Sequence, residues 1–258
     1  MATDEVFDVA VMAQGRLSAD AVREVAAILG KDPYGTRLLL AGKIPKIVAQ
    51  CQSAASAETL ARSLRGLGLL TVVCPDSELH RPPSAIFIAH AFKPGEAEIV
   101  FRDRSGAAKT LKSQDVSLII EGVLSPVVEK EPPREERKLN LPATLLLGGI
   151  PVWRRAKESP RNPPAQGEPF VRLYERDSAE PLLEIRRHDF DYSSLGEKMG
   201  LSSTANFNTL VGELRRIFPQ AVFDRNMMEP SQANVSFAAP LDSVEINCRL
   251  IYLFHRAA

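Results

Sequence analysis

Residues 47 to 73 read IVAQCQSAASAETLARSLRGLGLLTVV, and the spacing of the apolar residues changes twice within that run. IPKIVAQC is a strand-like stretch rich in Ile and Val. Ala57, Leu60, Ala61 and Leu64 then fall at i, i+3, i+4 and i+7, which places them on one stripe of an α-helix. LLTVVC follows and is apolar on both alternate sets, as a strand covered on both faces is. Ser53 or Ser56 is predicted to start the helix, and Gly66 and Gly68 to close it. A strand, a helix and a strand in such close succession form a crossover, whose strands are parallel and neighbours or near neighbours in one sheet. The chain must therefore build a sheet with a helix laid on its face.

The residues before this unit extend the same plan. FDVAVMA alternates as a strand does. Ser18 is predicted to cap a helix through Leu29 that carries Val22, Val25 and Leu29 near one face, and Gly30 to end it. Asp32-Pro33 reads as a second start, since Pro fits the first helical position after an Asp cap. That short helix is expected to turn Tyr34 and Leu38 inward. Residues 1–76 thus read as a β-α-α-β-α-β module. The prolines and turn formers of PDSELHRPP mark a linker over 77–83 without regular structure.

Residues 84–228 read as a β-rich domain. SAIFIAHAF, EAEIVFRD and the strands from AAKTL through SLIIEGV are separated by Pro94-Gly95 and Ser105-Gly106, a meander pattern. Pro-containing charged segments near 129–138 and 158–169 have little to bury and read as disordered insertions. PFVRLYER and PLLEIRRHDFDY are further strands, the second ending with Phe190 and Tyr192 packed inward. Ser202 or Ser203 is predicted to cap an amphipathic helix with Phe207, Leu210, Val211, Leu214, Ile217 and Phe218 inside. Residues 229–258 read as an extension with a short helix, Asp242 and Glu245 forming a capping-box-like start. The fold class expected is α+β: a sheet-and-helix domain followed by a β-rich domain closed by an amphipathic helix.

Composition narrows the function classes. Across 258 residues, 32 basic and 32 acidic side chains give zero formal charge, so nothing global favours nucleic acid or an anionic membrane. Three cysteines, an odd number and none at metal-ligand spacing, argue against a disulfide framework or zinc site and suit a reducing cytoplasm. MATDEVFDVAVMAQG lacks the basic and apolar regions of a signal peptide, and no apolar run approaches the roughly 20 residues of a membrane span. The chain reads as cytoplasmic and not membrane-spanning.

No phosphate loop, dinucleotide fingerprint, nucleophile elbow, H-E-x-x-H or C-x-x-C is present. The four histidines are scattered. In Arg186-Arg187-His188-Asp189, adjacent residues of a strand would face opposite sides, which disfavours a His–Asp dyad. Asp189, Asp191 and Glu197 complete no ligand set, and Gly148-Gly149 reads as a bulge or turn inside a strand pair. No catalytic, cofactor-binding or metal-ligating residue is assigned, no cofactor is expected, and a non-enzymatic role is. Trp153, Arg154 and Arg155 set an aromatic beside cations. They are the candidate contact for an alternative role, a lipid- or small-ligand-sensing module. An enzyme without a legible motif is the third reading.

The β-α-α-β-α-β order, the opening FDV, the break at Leu29-Gly30-Lys31 and the ending AETLARSLRGLGLLTVV resemble the C-terminal domain of the bacterial ribosomal stalk protein. That fold is shared with the adaptor that delivers substrates to the Clp protease. The resemblance covers residues 7–74, about a quarter of the chain. In that family the first helix pair contacts translation factors through apolar residues and lysines, and Val22, Arg23, Val25 and Arg37 lie at matching positions. The sequence departs in having Arg for Lys, no Ala-rich hinge or dimerising helices, and no acidic pocket signature of the adaptor. The resemblance implies the fold and a partner-binding helix pair, and not the ribosomal role. Residues 84–228 are similar in element order to pleckstrin-homology-like domains, without the phosphoinositide motif. The expectation is a cytoplasmic protein acting through an unidentified protein partner, with Val22, Arg23, Val25 and Arg37 at the contact.

Overall fold

The computed structural model describes residues 5–13, 15, 17–82, 84–95, 98–124, 137–139, 153–155, 167–228 and 240–257. It divides into one compact unit of residues 1–124 and 168–258 and another of 125–167. The class is α+β, as the sequence predicts.

The larger unit begins with strand β1 (Phe7–Ala13), helices α1 (Ala19–Leu29) and α2 (Pro33–Leu39), strand β2 (Lys46–Cys51), helix α3 (Ala54–Gly66) and strand β3 (Leu69–Pro75). The sheet order is β2-β1-β3, with β1 antiparallel to both neighbours. The two crossover strands therefore run parallel on either side of β1. Local signals set the helix starts: Ser18, Asp32 and Ser53 accept hydrogen bonds from the backbone N–H of Ala21, Gly35 and Ser56. Gly30 ends α1 in the left-handed conformation, φ 62°, that favours glycine.

Alternation along β1 divides its side chains between two cores. Val9 and Val11 pack with Val25, Val48, Ala57, Ala61 and Leu64 beneath α1 and α3. Ala10 faces the other way, with Val72, Cys74 and Leu79. Asp8 shares that second face by register, directly opposite Gln50 on β2 and Cys74 on β3.

The expected linker contains a helical turn, α4 (Asp76–Leu79), whose Leu79 is buried. The prolines that disfavour regular structure lie at its edges, and Leu79 gives the turn an apolar anchor. Strands β4 (Ile88–Ala89) and β5 (Ala91–Pro94) replace the single strand predicted over SAIFIAHAF. The break falls at His90, whose N–H donates to Arg102 O at 2.7 Å while its carbonyl accepts from Asp191 N at 2.7 Å. Strands β5, β6 (Glu98–Arg102) and β7 (Ala108–Lys112) form the expected antiparallel meander.

Strand β8 (Leu118–Leu124) leaves that meander for a five-stranded mixed sheet. Its order is β13-β8-β11-β12-β4, from β11 (Glu168–Tyr174), β12 (Leu183–Arg186) and β13 (Val222–Met227). Burial of every residue from Leu118 to Gly122 explains the departure: LIIEG supplies a strand covered on both faces, which suits an interior sheet position and not a meander edge. Gly122 is required by close packing, because a Cβ there would lie 2.8 Å from the Phe170 ring and 2.9 Å from Met227 Cβ.

Helix α5 (Ser203–Ile217), capped by Ser202, covers one face of this sheet with Phe207, Leu210, Val211 and Leu214, as predicted. The C-terminal segment is an 18-residue helix, α6 (Pro240–Ala257), rather than a short one. Its Val244, Cys248, Ile251 and Tyr252 pack on the opposite face, against Ile120, Phe170 and Met227. Its Leu250 and Phe254 pack on the second face of the β2-β1-β3 sheet. One helix thus closes two cores, and the two sequence blocks lie in one compact unit.

In the smaller unit, strands β9 (Arg137–Leu139) and β10 (Trp153–Arg155) pair antiparallel. Most of the segments near 129–138 and 158–169, and all of Gly148-Gly149, lie outside the described residues. Glu168 and Pro169, at the end of the second segment, belong to β11.

Candidate functional site

The first helix pair divides the four residues expected to contact a partner. Val25 is fully buried and Val22 is 8% exposed, so both belong to the core and neither is available at the surface. This follows from the apolar stripe of α1, which turns both valines inward and places Val25 in one core with Val9 and Val11 of β1. Arg23 is exposed and pairs with Asp20 at 2.6 Å, and Arg37 is exposed in the last turn of α2. The expected inward Tyr34 and Leu38 instead face solvent, 73% and 46% exposed, because α2 buries Thr36 between them. The Thr36 hydroxyl donates to Asp32 O at 2.8 Å, and Asp32 also caps the helix. These two bonds satisfy the helix start locally, and burial of Thr36 leaves Tyr34 and Leu38, one turn apart, on the outer side of α2. Ile28, in the last turn of α1, is exposed as well.

Trp153, Arg154 and Arg155 form strand β10, in register with Leu139, Lys138 and Arg137 of β9. His188 and Asp189 do not pair with each other. His188 Nε2 lies 3.5 Å from Glu168, whereas Asp189 forms an ion pair with Arg104 and lies 3.6 Å from His90. Asp191 accepts from the Ser193 N–H and hydroxyl, both at 2.9 Å, and Phe190 and Tyr192 are buried as expected.

A buried ionic group ties the five-stranded sheet to α6. Arg172 on β11 donates to Glu184 on β12 at 2.7 Å and, through both terminal nitrogens, to Glu245 on α6 at 2.9 and 2.6 Å. Glu184 also accepts from Arg186 at 2.5 Å. Glu245 is therefore bound to a guanidinium rather than used at the helix start. A cleft of about 260 Å³ opens over this group, walled by Ile86, Ile88, Leu124 and Val244. Two cations and two anions neutralise one another beneath it, so it presents no unmatched charge to a ligand.

The second face of the β2-β1-β3 sheet holds a different group. Asp8 is fully buried. Gln50 Nε2 donates to Asp8 Oδ1 at 3.0 Å and to Asp76 Oδ1 at 3.2 Å. His80 Nδ1 lies 3.0 Å from Asp76 Oδ1. Asp8 Oδ2 is buried without a hydrogen-bond partner. One donor atom each from Asp8, Asp76 and His80 lies within 4.8 Å of the others. Burial, then the Asp76 carboxylate, push the Asp8 carboxyl above its ordinary range against the Gln50 bond. The same surroundings push the Cys74 thiol up to about 12, with burial the largest cause, so it stays protonated and inert at neutral pH.

Register and α4 assemble this cluster. Asp8 and Cys74 are opposite across β1 and β3, Asp76 follows Cys74 by two, and His80 follows Asp76 by one helical turn. Arg249 of α6 donates to the carbonyl of Leu79 at 2.9 Å and to that of Arg81, and bonds Glu180 at 3.0 Å, which fixes the turn. Sequence reading assigned none of these residues. The available signals were a lone Asp inside the apolar strand FDVAVMA and the D-x-x-x-H spacing of DSELH; what joins them is a strand pairing across the whole module.

Among the described residues no helix is long and apolar enough to cross a membrane. No protein-family model matches the chain, and comparison with curated proteins and with solved structures finds no significant match.

Proposed function

We propose that this protein acts in the cytoplasm, without catalysing a reaction, by binding a protein partner through the outer face of α1 and α2. The observation that carries the reading is the exposure of Tyr34 and Leu38 on a helix that buries Thr36 on its other side. Large apolar groups held rigidly at a surface bind without the ordering cost a mobile segment would incur. Lys31 and Arg37 stand exposed beside them, which suits a partner segment that is apolar and flanked by acidic residues. The resemblance of residues 7–74 to the ribosomal stalk C-terminal domain supports the same helix pair, with the contact moved from Val22 and Val25 to Tyr34 and Leu38.

A photo-crosslinking amino acid in place of Tyr34 is expected to trap one defined protein in the native host. The double substitution Tyr34→Ser and Leu38→Ser is expected to lose that protein in affinity purification while keeping the circular dichroism of the parent. Equal recovery by the double variant would overturn this face as the contact.

A further inference from the structure

Four carboxylates are buried among the described residues: Asp8, Glu121, Glu184 and Asp224. Three face a cationic or protonatable side chain at ion-pair distance: Glu121 has Arg225 at 2.8 Å, Glu184 has Arg172 at 2.7 Å, and Asp224 has His255 at 3.1 Å. Asp8 has the neutral Gln50 amide on one oxygen and no hydrogen-bond partner on the other. A second carboxylate, Asp76, adds to the negative charge at that place, and His80 offsets it only in part, leaving the Asp8 carboxyl above its ordinary range. A buried carboxylate in such surroundings calls for a counter-charge.

We infer that Asp8, Asp76 and His80 bind a divalent first-row transition-metal ion, of the Zn²⁺ or Mn²⁺ kind. The donor atoms already lie within 4.8 Å of one another, and a closure of about 1 Å brings them within the roughly 4 Å that one ion with bonds near 2 Å can span. Two carboxylates balance the double charge. The imidazole selects against Mg²⁺ and Ca²⁺, which take oxygen ligands, and in favour of zinc and its first-row neighbours, while the two carboxylates also suit manganese. Gln50 holds Asp8 Oδ1 and Asp76 Oδ1, which leaves Asp8 Oδ2 for the ion and orients both ligands from outside the coordination sphere. The ion would displace whatever proton lies between His80 Nδ1 and Asp76. His80 and Asp76 are each more than a third exposed, so the site opens to solvent on one side while Asp8 closes the other. Water completes the coordination.

The experiment is calorimetric titration of the full chain, stripped with chelator, with ZnCl₂, MnCl₂ and MgCl₂ separately. The expected result is one equivalent of Zn²⁺ or Mn²⁺ bound, no response to Mg²⁺, and loss of that binding in Asp76→Asn and in His80→Ala. Both replaced side chains are partly exposed, so their variants are expected to fold, which circular dichroism checks. Gln50→Ala is expected to weaken the ion by about 10- to 100-fold, as loss of an orienting partner does. Co²⁺ absorption in the visible, present in the parent and absent in His80→Ala, reports the imidazole directly. No binding by the parent overturns the inference, and so does binding that survives both Asp76→Asn and His80→Ala.

Discussion

Glu184 and Asp8 are both fully buried carboxylates on sheet faces covered by α6, and the chain treats them differently. Glu184 sits between two guanidiniums, and the arginine it shares with Glu245 brings the whole group to neutrality. Asp8 has an amide, a second carboxylate and an oxygen with no partner. The first arrangement is complete within the chain and fastens α6 to the sheet. The second is not brought to neutrality within the chain: Gln50 and His80 offset burial and the Asp76 charge only in part. Burial of a charge is thus not a functional signal by itself; a missing counter-charge is.

The largest effect expected is on the complete group. Arg172→Ala leaves Glu184 and Glu245 without their shared cation, and should lower unfolding free energy in urea by about 3–5 kcal/mol. A loss below about 1 kcal/mol, the range of an exposed pair, would erase the contrast with Asp8. Gly122→Ala tests the packing that supports that arginine. Its guanidinium lies 5.2 Å from the centre of the Phe170 ring, and the new Cβ would press on that ring and on Met227. Overpacking of this kind should cost about 1–3 kcal/mol by the same measurement.

Asp8→Asn should go the other way. In chelator at neutral pH it removes a buried charge with an unpartnered oxygen, and should raise stability by about 1 kcal/mol. The sign with pH follows from the raised pKa. The folded chain holds the Asp8 proton more tightly than the unfolded chain does, so this group's contribution is fully present below the unfolded value of about 3.9. It is lost as pH rises through the raised folded value. The parent and Asp8→Asn should therefore converge in stability at low pH and separate above it, which thermal unfolding across pH measures. Parallel curves would mean that Asp8 is compensated after all. The smallest effect belongs to the surface: Arg23→Ala breaks an exposed pair with Asp20, and should change stability by less than about 0.5 kcal/mol.

What could be read from the sequence was what neighbouring residues decide. Ser18, Asp32, Ser53 and Ser202 cap helices because a side chain and an N–H three residues on are close in any chain that starts a helix there. The Phe207 to Leu214 face needed only the helical period. Tyr34 and Leu38 went the other way because α2 is short, and one buried threonine set its rotation in place of an apolar stripe. Strand β8 left the meander for a pairing with β11, which lies beyond the intervening 125–167 segment and is not signalled by any turn. The Asp8 cluster was hidden for the same reason: its members meet only when β1 and β3 are in register.

The position of α6 has a consequence for how the chain reaches this state. The bond from Arg249 to the Leu79 carbonyl spans 170 residues, and the second face of the first sheet stays uncovered until that helix arrives. Contacts so distant along the chain slow folding, because a long loop must close before they form. The first module should therefore acquire its α1 and α3 core early and wait, with Ala10, Val72 and Cys74 in water, in a partly folded species prone to self-association. Docking of α6 is then the late step that ends this exposure, and hydrogen-exchange labelling during refolding should find the amides of α6 among the last to be protected.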